Sequence, residues 1–163
     1  MARPGFELSL ALLAALLLQS CQAAAPKVAL PGFDGWPETR LAIRTSRGRQ
    51  TFRVLVADTP DRQERGLMFV THLPPDVGML FPQDPPQVVH MWMKNTLIPL
   101  DMLFIDADRH VVYIRANAAV QSLELISTPR LTQSVLEIGG GEAARRGIRV
   151  GDEIAMSEPV GLK

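Results

Sequence analysis

The sequence predicts a mainly β, β-rich α+β fold, in which one compact domain of mostly antiparallel strands forms a small sandwich or distorted barrel with two short helices. Three observations support this prediction. Short segments with apolar residues at alternate positions recur along the chain, and turn-forming residues separate them. Only two segments carry helix-capping signals. The residues after position 38, about 125 of the 163, are enough for a single domain.

The first 21 residues have the pattern of an export signal. Arg3 provides a positive start, and the apolar run over 8–18 is shorter than the roughly twenty residues that a membrane-spanning helix needs. Cys21, the only cysteine, follows in LQSC, which resembles the lipobox of bacterial lipoproteins. Cleavage by an ordinary signal peptidase near Ala23 or Ala24 is the alternative. Both interpretations predict an exported, periplasmic protein, and the lipobox predicts that Cys21 is acylated and tethers it to the membrane.

Residues 22–38 are rich in Ala, Pro and Gly and lack an apolar period, which predicts a tether in front of the domain. Trp36 is expected to dock on the edge of the domain. The single globular domain is then predicted to span residues 39–163, with no internal repeat.

Eight segments of the domain have the alternation of half-buried strands. The loops SRGRQ and DADR are expected to form hairpins between the first two and between the fifth and sixth of these segments. In chain order the predicted strands are RLAIRTS, TFRVLVAD, GMLF, QVVHMWM, DMLFID, HVVYIRA, TQSVLEI and DEIAM.

Two segments, TPDRQERGLM and GEAARRGI, are predicted helices of about two turns. In the first, Thr59 is a suitable N-cap, Pro60 fits the first helical position, and Gly66 suits a left-handed C-terminal position. In the second, Glu142 begins the helix and Gly147 ends it. Both helices are short enough to need a sheet to pack on.

Composition excludes several classes of function. Lys and Arg total 17 and Asp and Glu total 17, so the formal net charge is zero and binding to nucleic acid is not expected. Without Cys21 the exported chain has neither disulfides nor thiolate metal ligands. The chain also lacks GxSxG and HExxH motifs. We expect no cofactor, and we expect a monomer that is not an enzyme unless an acid/base pair forms through folding.

The stretch HMWMKNTLIPLD, residues 90–101, concentrates unusual residue types. Strand alternation places Val89, Met91 and Met93 on one face, which most simply joins the core. Thioether and imidazole ligands suit Cu(I), so His90, Met91 and Met93 are also a candidate copper site. Because His90 points to the opposite face, such a site needs a bulge or a ligand from elsewhere, such as His72.

The other face of this stretch carries His90, Trp92 and Lys94. An aromatic platform beside a cation suits a ligand with a ring and a carboxylate or phosphate group. A solvated strand face with one partly exposed Trp is the simpler alternative. The predicted ligand-binding residues are Arg65, Trp92, Lys94, Asn95, Thr96 and Asp101.

The segments RGLM, GMLF, MWMKNTLIPLDMLFID, VLEI followed by GG, and GIRVGD make the chain similar to the bacterial and archaeal family known as domain of unknown function 192. The resemblance covers about residues 51–156 and implies a compact β-rich fold with short helices and no established activity. Every predicted ligand-binding residue matches the family motif, whereas His90 is not a hallmark of it. Many relatives carry cysteines between DMLFID and VLEI, where this chain has none, which excludes a thiol-dependent role.

Three functional hypotheses follow. The first is a non-enzymatic binding or accessory module of the cell envelope, whose partner is a small ligand or an envelope protein and which meets the membrane only through Cys21. The second is a small enzyme with Asp101 or His90 as acid/base and Lys94 stabilising negative charge. The third is a periplasmic Cu(I)-binding protein.

Overall fold

The computed structural model describes residues 28–156, and the predicted export signal with Cys21 lies outside this range. Within it, no helix is long and apolar enough to cross a membrane. The two helices are α1 (Pro60–Arg65) and α2 (Glu142–Arg146). The strands are β1 (Glu38–Thr45), β2 (Gly48–Val56), β3 (Val77–Gln87), β4 (His90–Met91), β5 (Leu100–Ile105), β6 (Val111–Ala118), β7 (Ile126–Ser127), β8 (Thr132–Gly139) and β9 (Glu153–Met156).

Seven of the strands form one sheet in the order β6, β5, β8, β3, β2, β1, β9. Neighbours are antiparallel except β2 and β3, which are parallel and are joined through α1. The sheet curls until its edges approach, where His110 pairs with Glu153 and the Ile154 N–H donates to the Arg109 carbonyl. This half-barrel confirms the predicted mainly β fold with two short helices.

Alternate residues of each central strand pack into two separate apolar clusters, because side chains of a strand point to opposite faces. The inner cluster fills the curl and includes residues of the edge strands, such as Val111 and Ile154. The outer cluster covers the other face and includes Met79, Met102 and Val135. Strands buried on both faces read as continuous apolar runs, as GMLF and LFI do.

The helix caps follow the local sequence. Thr59 Oγ1 accepts a hydrogen bond from the Arg62 N–H at 3.3 Å, which confirms the N-cap of α1. Gly147 has φ 71° and ψ 26° and confirms the left-handed end of α2. Gly66 has a positive φ of 47°, but its ψ of −141° lies outside the left-handed helical region. The chain after α1 continues as turns, in which the Met68 N–H donates to the Arg65 carbonyl and the Val70 N–H to the Leu67 carbonyl.

The described part of the predicted tether packs against the domain. Val28, Leu30 and Phe33 are buried in the outer cluster, and the Phe33 and Trp36 rings meet edge to face with centroids 4.9 Å apart. These apolar residues have no helical or strand period, so the sequence pattern gave no sign of them. The outer face of the sheet needs a cover, and this segment supplies part of it.

The predicted strand QVVHMWM is largely not a strand. β3 extends to Gln87, and only His90–Met91 pair, in a separate two-stranded sheet with β7. The Met93 N–H donates instead to the carbonyl of Ser122 in a loop, which ends the regular pairing. The predicted division of faces holds in terms of burial, since Met93 is fully buried and Trp92 is exposed.

Candidate functional site

A cavity of about 350 Å³ lies on the outer face of the sheet, between α1, the second half of β3 and residues 88–96. This volume is at the lower end of the range for small-molecule pockets, roughly 300 to 1,000 Å³. Its lining combines apolar, amide and charged side chains. The lining residues are Gln63, Arg65, Gly66, Leu67, Met68, Phe81, Gln83, Gln87, Val88, Val89, His90, Met91, Trp92, Lys94, Thr96 and Glu137.

Glu137 on the central strand β8 places a carboxyl group in the wall of this cavity. It pairs across the sheet with Met79 on one side and Met102 on the other, so it is set among outer-cluster residues. Glu137 is only 4% exposed. No group within residues 28–156 donates a hydrogen bond to its side chain or forms an ion pair with it. Burial raises the pKa of the Glu137 carboxyl to about 8, so it holds a proton at neutral pH.

A set of glutamine side chains stiffens one wall. The buried Gln83 accepts at Oε1 from Gln87 Nε2 at 2.7 Å, and its carbonyl accepts from Gln133 Nε2 at 2.6 Å. Gln63, which lies within α1, donates from Nε2 to the Pro82 carbonyl at 2.9 Å and joins α1 to β3. The bond from Gln133 joins β8 to β3, so together these bonds hold the wall of the cavity in one arrangement.

Two cations line the same cavity, Arg65 from the last turn of α1 and Lys94 from the loop after β4. The Arg65 guanidinium carbon lies 4.8 Å from the centroid of the Phe33 ring, and Lys94 Nζ lies 5.0 Å from that of the Trp92 ring. Both side chains are exposed, and neither forms an ion pair with a residue of the described range. The aromatic rings hold the two cations while leaving their charges available to an anion.

A tight turn positions the side chains that follow Trp92. The Thr96 N–H donates to the Met93 carbonyl, with Asn95 in the left-handed region at φ 55°. Asn95 Nδ2 contacts Met68 Sδ at 3.7 Å, and its carbonyl accepts from the Phe69 N–H at 2.9 Å. Thr96 is buried and lines the cavity, whereas Asn95 acts by joining this turn to the segment after α1.

Asp101 does not reach the cavity. It pairs with Ile138 of the inner cluster, so its side chain lies on the opposite face of the sheet from Glu137. Its Oδ1 accepts from the N–H groups of Asn117 and Gly141 at 2.8 and 3.0 Å, and Oδ2 accepts from Ala143 at 2.8 Å. These three bonds fix α2 to β5 and β6, and they leave Asp101 no place in the acid/base pair considered for the enzyme hypothesis.

The copper candidates are divided between two environments. His90 and Met91 line the cavity, together with Met68, whereas Met93 is fully buried in the outer cluster and does not line it. Within residues 28–156, no three His, Cys, Asp or Glu side chains are grouped to hold a metal. The soft ligands that share one surface are therefore Met68, His90 and Met91.

The structure thus brings together Arg65, Trp92, Lys94 and Thr96, places Asn95 beside them, and separates Asp101. Glu137, the one acid among the described residues that line the cavity, was not predicted from the sequence. One signal points to it. In SVLEI, Val135 shares the strand face of Glu137, and Leu136 and Ile138 lie on the opposite face. Apolar residues on both faces indicate a strand that is buried on both sides, and hence a buried carboxyl.

Comparison with known proteins places this geometry in a family. The model of domain of unknown function 192, described as uncharacterized ACR, matches residues 42–156. A crystal structure of a protein of unknown function from Novosphingobium aromaticivorans DSM 12444 is 39% identical, with a TM-score of 0.76 over 81% of this chain and 94% of that one. One from Sinorhizobium meliloti 1021, described as a candidate transcription regulator, is 36% identical, with a TM-score of 0.72 over 74% of this chain and 95% of that one. No curated protein matches significantly. The chain therefore belongs to the domain of unknown function 192 family.

Proposed function

We propose that this protein is an exported, non-enzymatic binding module of the cell envelope that holds a small organic ligand in the cavity between α1, β3 and residues 88–96. The observation that carries the proposal is the buried carboxyl of Glu137, which lines the cavity without a hydrogen-bonding partner in the described range. The carboxyl opens onto the cavity rather than being sealed in the core, since the fully buried side-chain oxygen without a partner in the described range is Thr39 Oγ1. A ligand in the cavity can therefore supply the hydrogen bonds that the described residues do not.

The arrangement of the other lining residues supports a small molecule over a large one. The cavity volume of about 350 Å³ suits a molecule of a few to about twenty heavy atoms. Trp92 and the apolar parts of Met68 and Met91 can pack on its carbon skeleton, while Arg65 and Lys94 can bind an anionic group. The balanced net charge argues against nucleic acid as the partner.

The two tryptophans of the chain permit a direct test. Trp92 lines the cavity, and Trp36 packs on Phe33 outside it, so Trp36→Phe leaves Trp92 as the fluorescent reporter and Trp92→Phe leaves Trp36. The probes are small carboxylates, amino acids, sugars, nucleotides and Cu(I). A compound that shifts the emission of the Trp36→Phe protein, leaves that of the Trp92→Phe protein unchanged, and loses affinity in Trp92→Ala supports the proposal. Binding that Trp92→Ala leaves unchanged contradicts it.

Export and lipid tethering form the second part of the proposal and rest on residues 1–21 and LQSC. Fractionation of bacterial cells that express the full chain tests them. We expect the protein in the membrane fraction and the Cys21→Ser variant released from it. Recovery of both proteins in the cytosol would contradict export.

A second candidate function is acid/base catalysis, and one observation favours it. A carboxyl with a pKa of about 8 can give and take a proton near neutral pH, and it shares its cavity with His90 and Lys94. Turnover of a bound compound that Glu137→Gln abolishes, without loss of binding, would favour the enzyme. Binding without turnover favours the module.

A further inference from the structure

The charge arrangement inside the cavity narrows the class of ligand. Within residues 28–156, Glu137 is the single acid that lines the cavity, and it lies in the wall formed by the central strand β8. Its carboxyl forms no ion pair and accepts no hydrogen bond from a residue of the described range. If the carboxyl is to ionise on binding, its counter-charge has to come from the ligand.

A ligand with an ammonium group can form an ion pair with a carboxylate at this position. A neutral ligand needs only a donor or an acceptor, and a glutamine would supply both without a buried acid. An opposite charge within about 4 to 6 Å stabilises the charged form of a carboxyl and lowers its pKa. Arrival of an ammonium group would therefore expel the proton that Glu137 holds in the empty cavity and create a buried ion pair.

Two cations in the lining of the cavity select against a simple amine. Arg65 and Lys94 both line it and neither has an ion-pair partner in residues 28–156, so they repel a molecule with only a positive charge. The same two cations favour a ligand whose other end is anionic. Trp92, next to Lys94, offers an apolar flank for the carbon chain between the two ends.

Resting on the proposed binding function, we infer that the ligand is a small zwitterion, an aminocarboxylate whose ammonium group pairs with Glu137 and whose carboxylate binds Arg65 and Lys94. Because Glu137 gives up its proton as the ion pair forms, binding at neutral pH releases close to one proton per molecule bound. A ligand that accepts a hydrogen bond from the protonated acid releases none. Proton release thus separates the two modes of binding.

The test uses the full chain and three probes with the same carbon chain: ε-aminocaproate, caproate and hexylamine, with γ-aminobutyrate as a shorter zwitterion. Calorimetry in phosphate and in Tris, which differ in ionisation enthalpy, measures both affinity and proton release. The variant Glu137→Gln removes the acid at nearly constant shape. The matched control is Glu64→Gln, the same change at an exposed carboxylate of α1 that does not line the cavity.

We expect a zwitterion to bind most tightly and to release a proton. Glu137→Gln should weaken that binding at least about tenfold and abolish the proton release, because it removes one partner of a buried charge pair. Glu64→Gln should change neither quantity. Arg65→Ala and Lys94→Ala should weaken the zwitterion and caproate but not hexylamine.

Two outcomes would overturn the inference while leaving the proposed binding function in place. Caproate that binds as tightly as ε-aminocaproate, with no effect of Glu137→Gln, would show a cavity for plain anions, so the binding function would stand without the zwitterion. Failure of all four probes to bind, while another compound quenches Trp92, would also overturn the inference and would leave the binding function with a ligand of another class. Should Glu137→Gln not fold, the difference in enthalpy between the two buffers still decides, because a wild-type zwitterion complex without proton release contradicts the inference.

Discussion

Asp101 and Glu137 are buried carboxyls on the paired strands β5 and β8, one register position apart, and they lie on opposite faces of the sheet. Asp101 is surrounded by three backbone N–H donors, whereas Glu137 has no donor in the described range and faces a cavity. The two groups therefore act differently. Asp101 stabilises the fold, whereas Glu137 holds a proton that a ligand in the cavity can displace.

Substitution of Asp101 should cost stability. Asp101→Ala leaves the partly buried N–H groups of Asn117 and Gly141 and the buried N–H of Ala143 without their acceptor, and we expect a loss of about 3 kcal/mol in the free energy of unfolding. Urea denaturation measures it. Asp108→Ala, in the exposed turn between β5 and β6, is the control and should change stability little. Equal stability of both variants would show that the three bonds are dispensable.

The stability of the wild-type protein should fall as pH rises through the range in which Glu137 titrates. Burial raises the pKa of Glu137 from 4.5 to about 8 in the folded state. The folded protein binds this proton more tightly than the unfolded chain does. The resulting contribution to the free energy of unfolding is therefore complete below the pKa of the unfolded chain and is lost as the pH rises through the pKa of the folded protein. At 1.36 kcal/mol per pKa unit, the loss is at most about 5 kcal/mol.

Comparison with Glu137→Gln isolates this effect. The Glu142 and Asp76 carboxyls have lowered pKa values through hydrogen bonds from Arg145 and Arg53 respectively, and their contribution is lost toward acid pH in both proteins alike. Unfolding free energies measured between about pH 5 and pH 9 should show the variant gaining on the wild type as pH rises. A constant difference across this range would mean that Glu137 is not protonated in the folded protein.

Gly78 on β3 should not tolerate a side chain. A Cβ atom at this position would lie 2.6 Å from the Glu137 carbonyl oxygen, and that backbone is fixed in the centre of the sheet. We expect Gly78→Ala to lower the free energy of unfolding by about 2 to 3 kcal/mol through overpacking. Gly139→Ala is the control, since its Cβ meets only the Glu142 side chain at 3.6 Å. Similar melting temperatures for the two variants would contradict the close approach of β3 and β8.

Replacement of Phe69 by asparagine should stabilise the protein. Phe69 has φ 64°, a region that bulky residues disfavour and asparagine tolerates, and its side chain is 65% exposed. We expect Phe69→Asn to add up to about 1 kcal/mol, measured by thermal unfolding. Leu125→Asn, at a residue 62% exposed without positive φ, should give no gain. A loss on Phe69→Asn would mean that the ring packs in solution.

Local signals explain most of what the sequence could predict. The caps of α1 and α2 depend on neighbouring residues, and the hairpins and apolar strands carry their own periodicity, so these elements are predictable from short stretches. The prediction that Arg65 belongs to the same site as Trp92 and Lys94 rested only on the family motif. Their proximity depends on how α1 lies on the sheet, which no local pattern contains.

Long-range contacts account for the rest. Trp92 and Met93 alternate like strand residues, but the loop carbonyl of Ser122 takes the place of a partner strand. Asp101 was predicted as a ligand-binding residue, and its structural role was not predicted because its three donors come from residues 16 to 42 positions away. Glu137 was not predicted as a site residue because the cover over its face comes from β4 and the segment around α1.

The pairing of His110 with Glu153 has a consequence for the behaviour of the protein at high concentration. Open sheets present rows of free N–H and C=O groups at both edges, which can template strands of other molecules and start fibrils. Here the start of β6 and the residues preceding and within β9 exchange such bonds: the Val111 N–H donates to Asp152, and the Gly151 N–H to the Val111 carbonyl. The curl of the sheet thus satisfies part of the hydrogen-bonding groups of each edge within one molecule. Fewer free edge groups are then left to pair with the strands of other molecules.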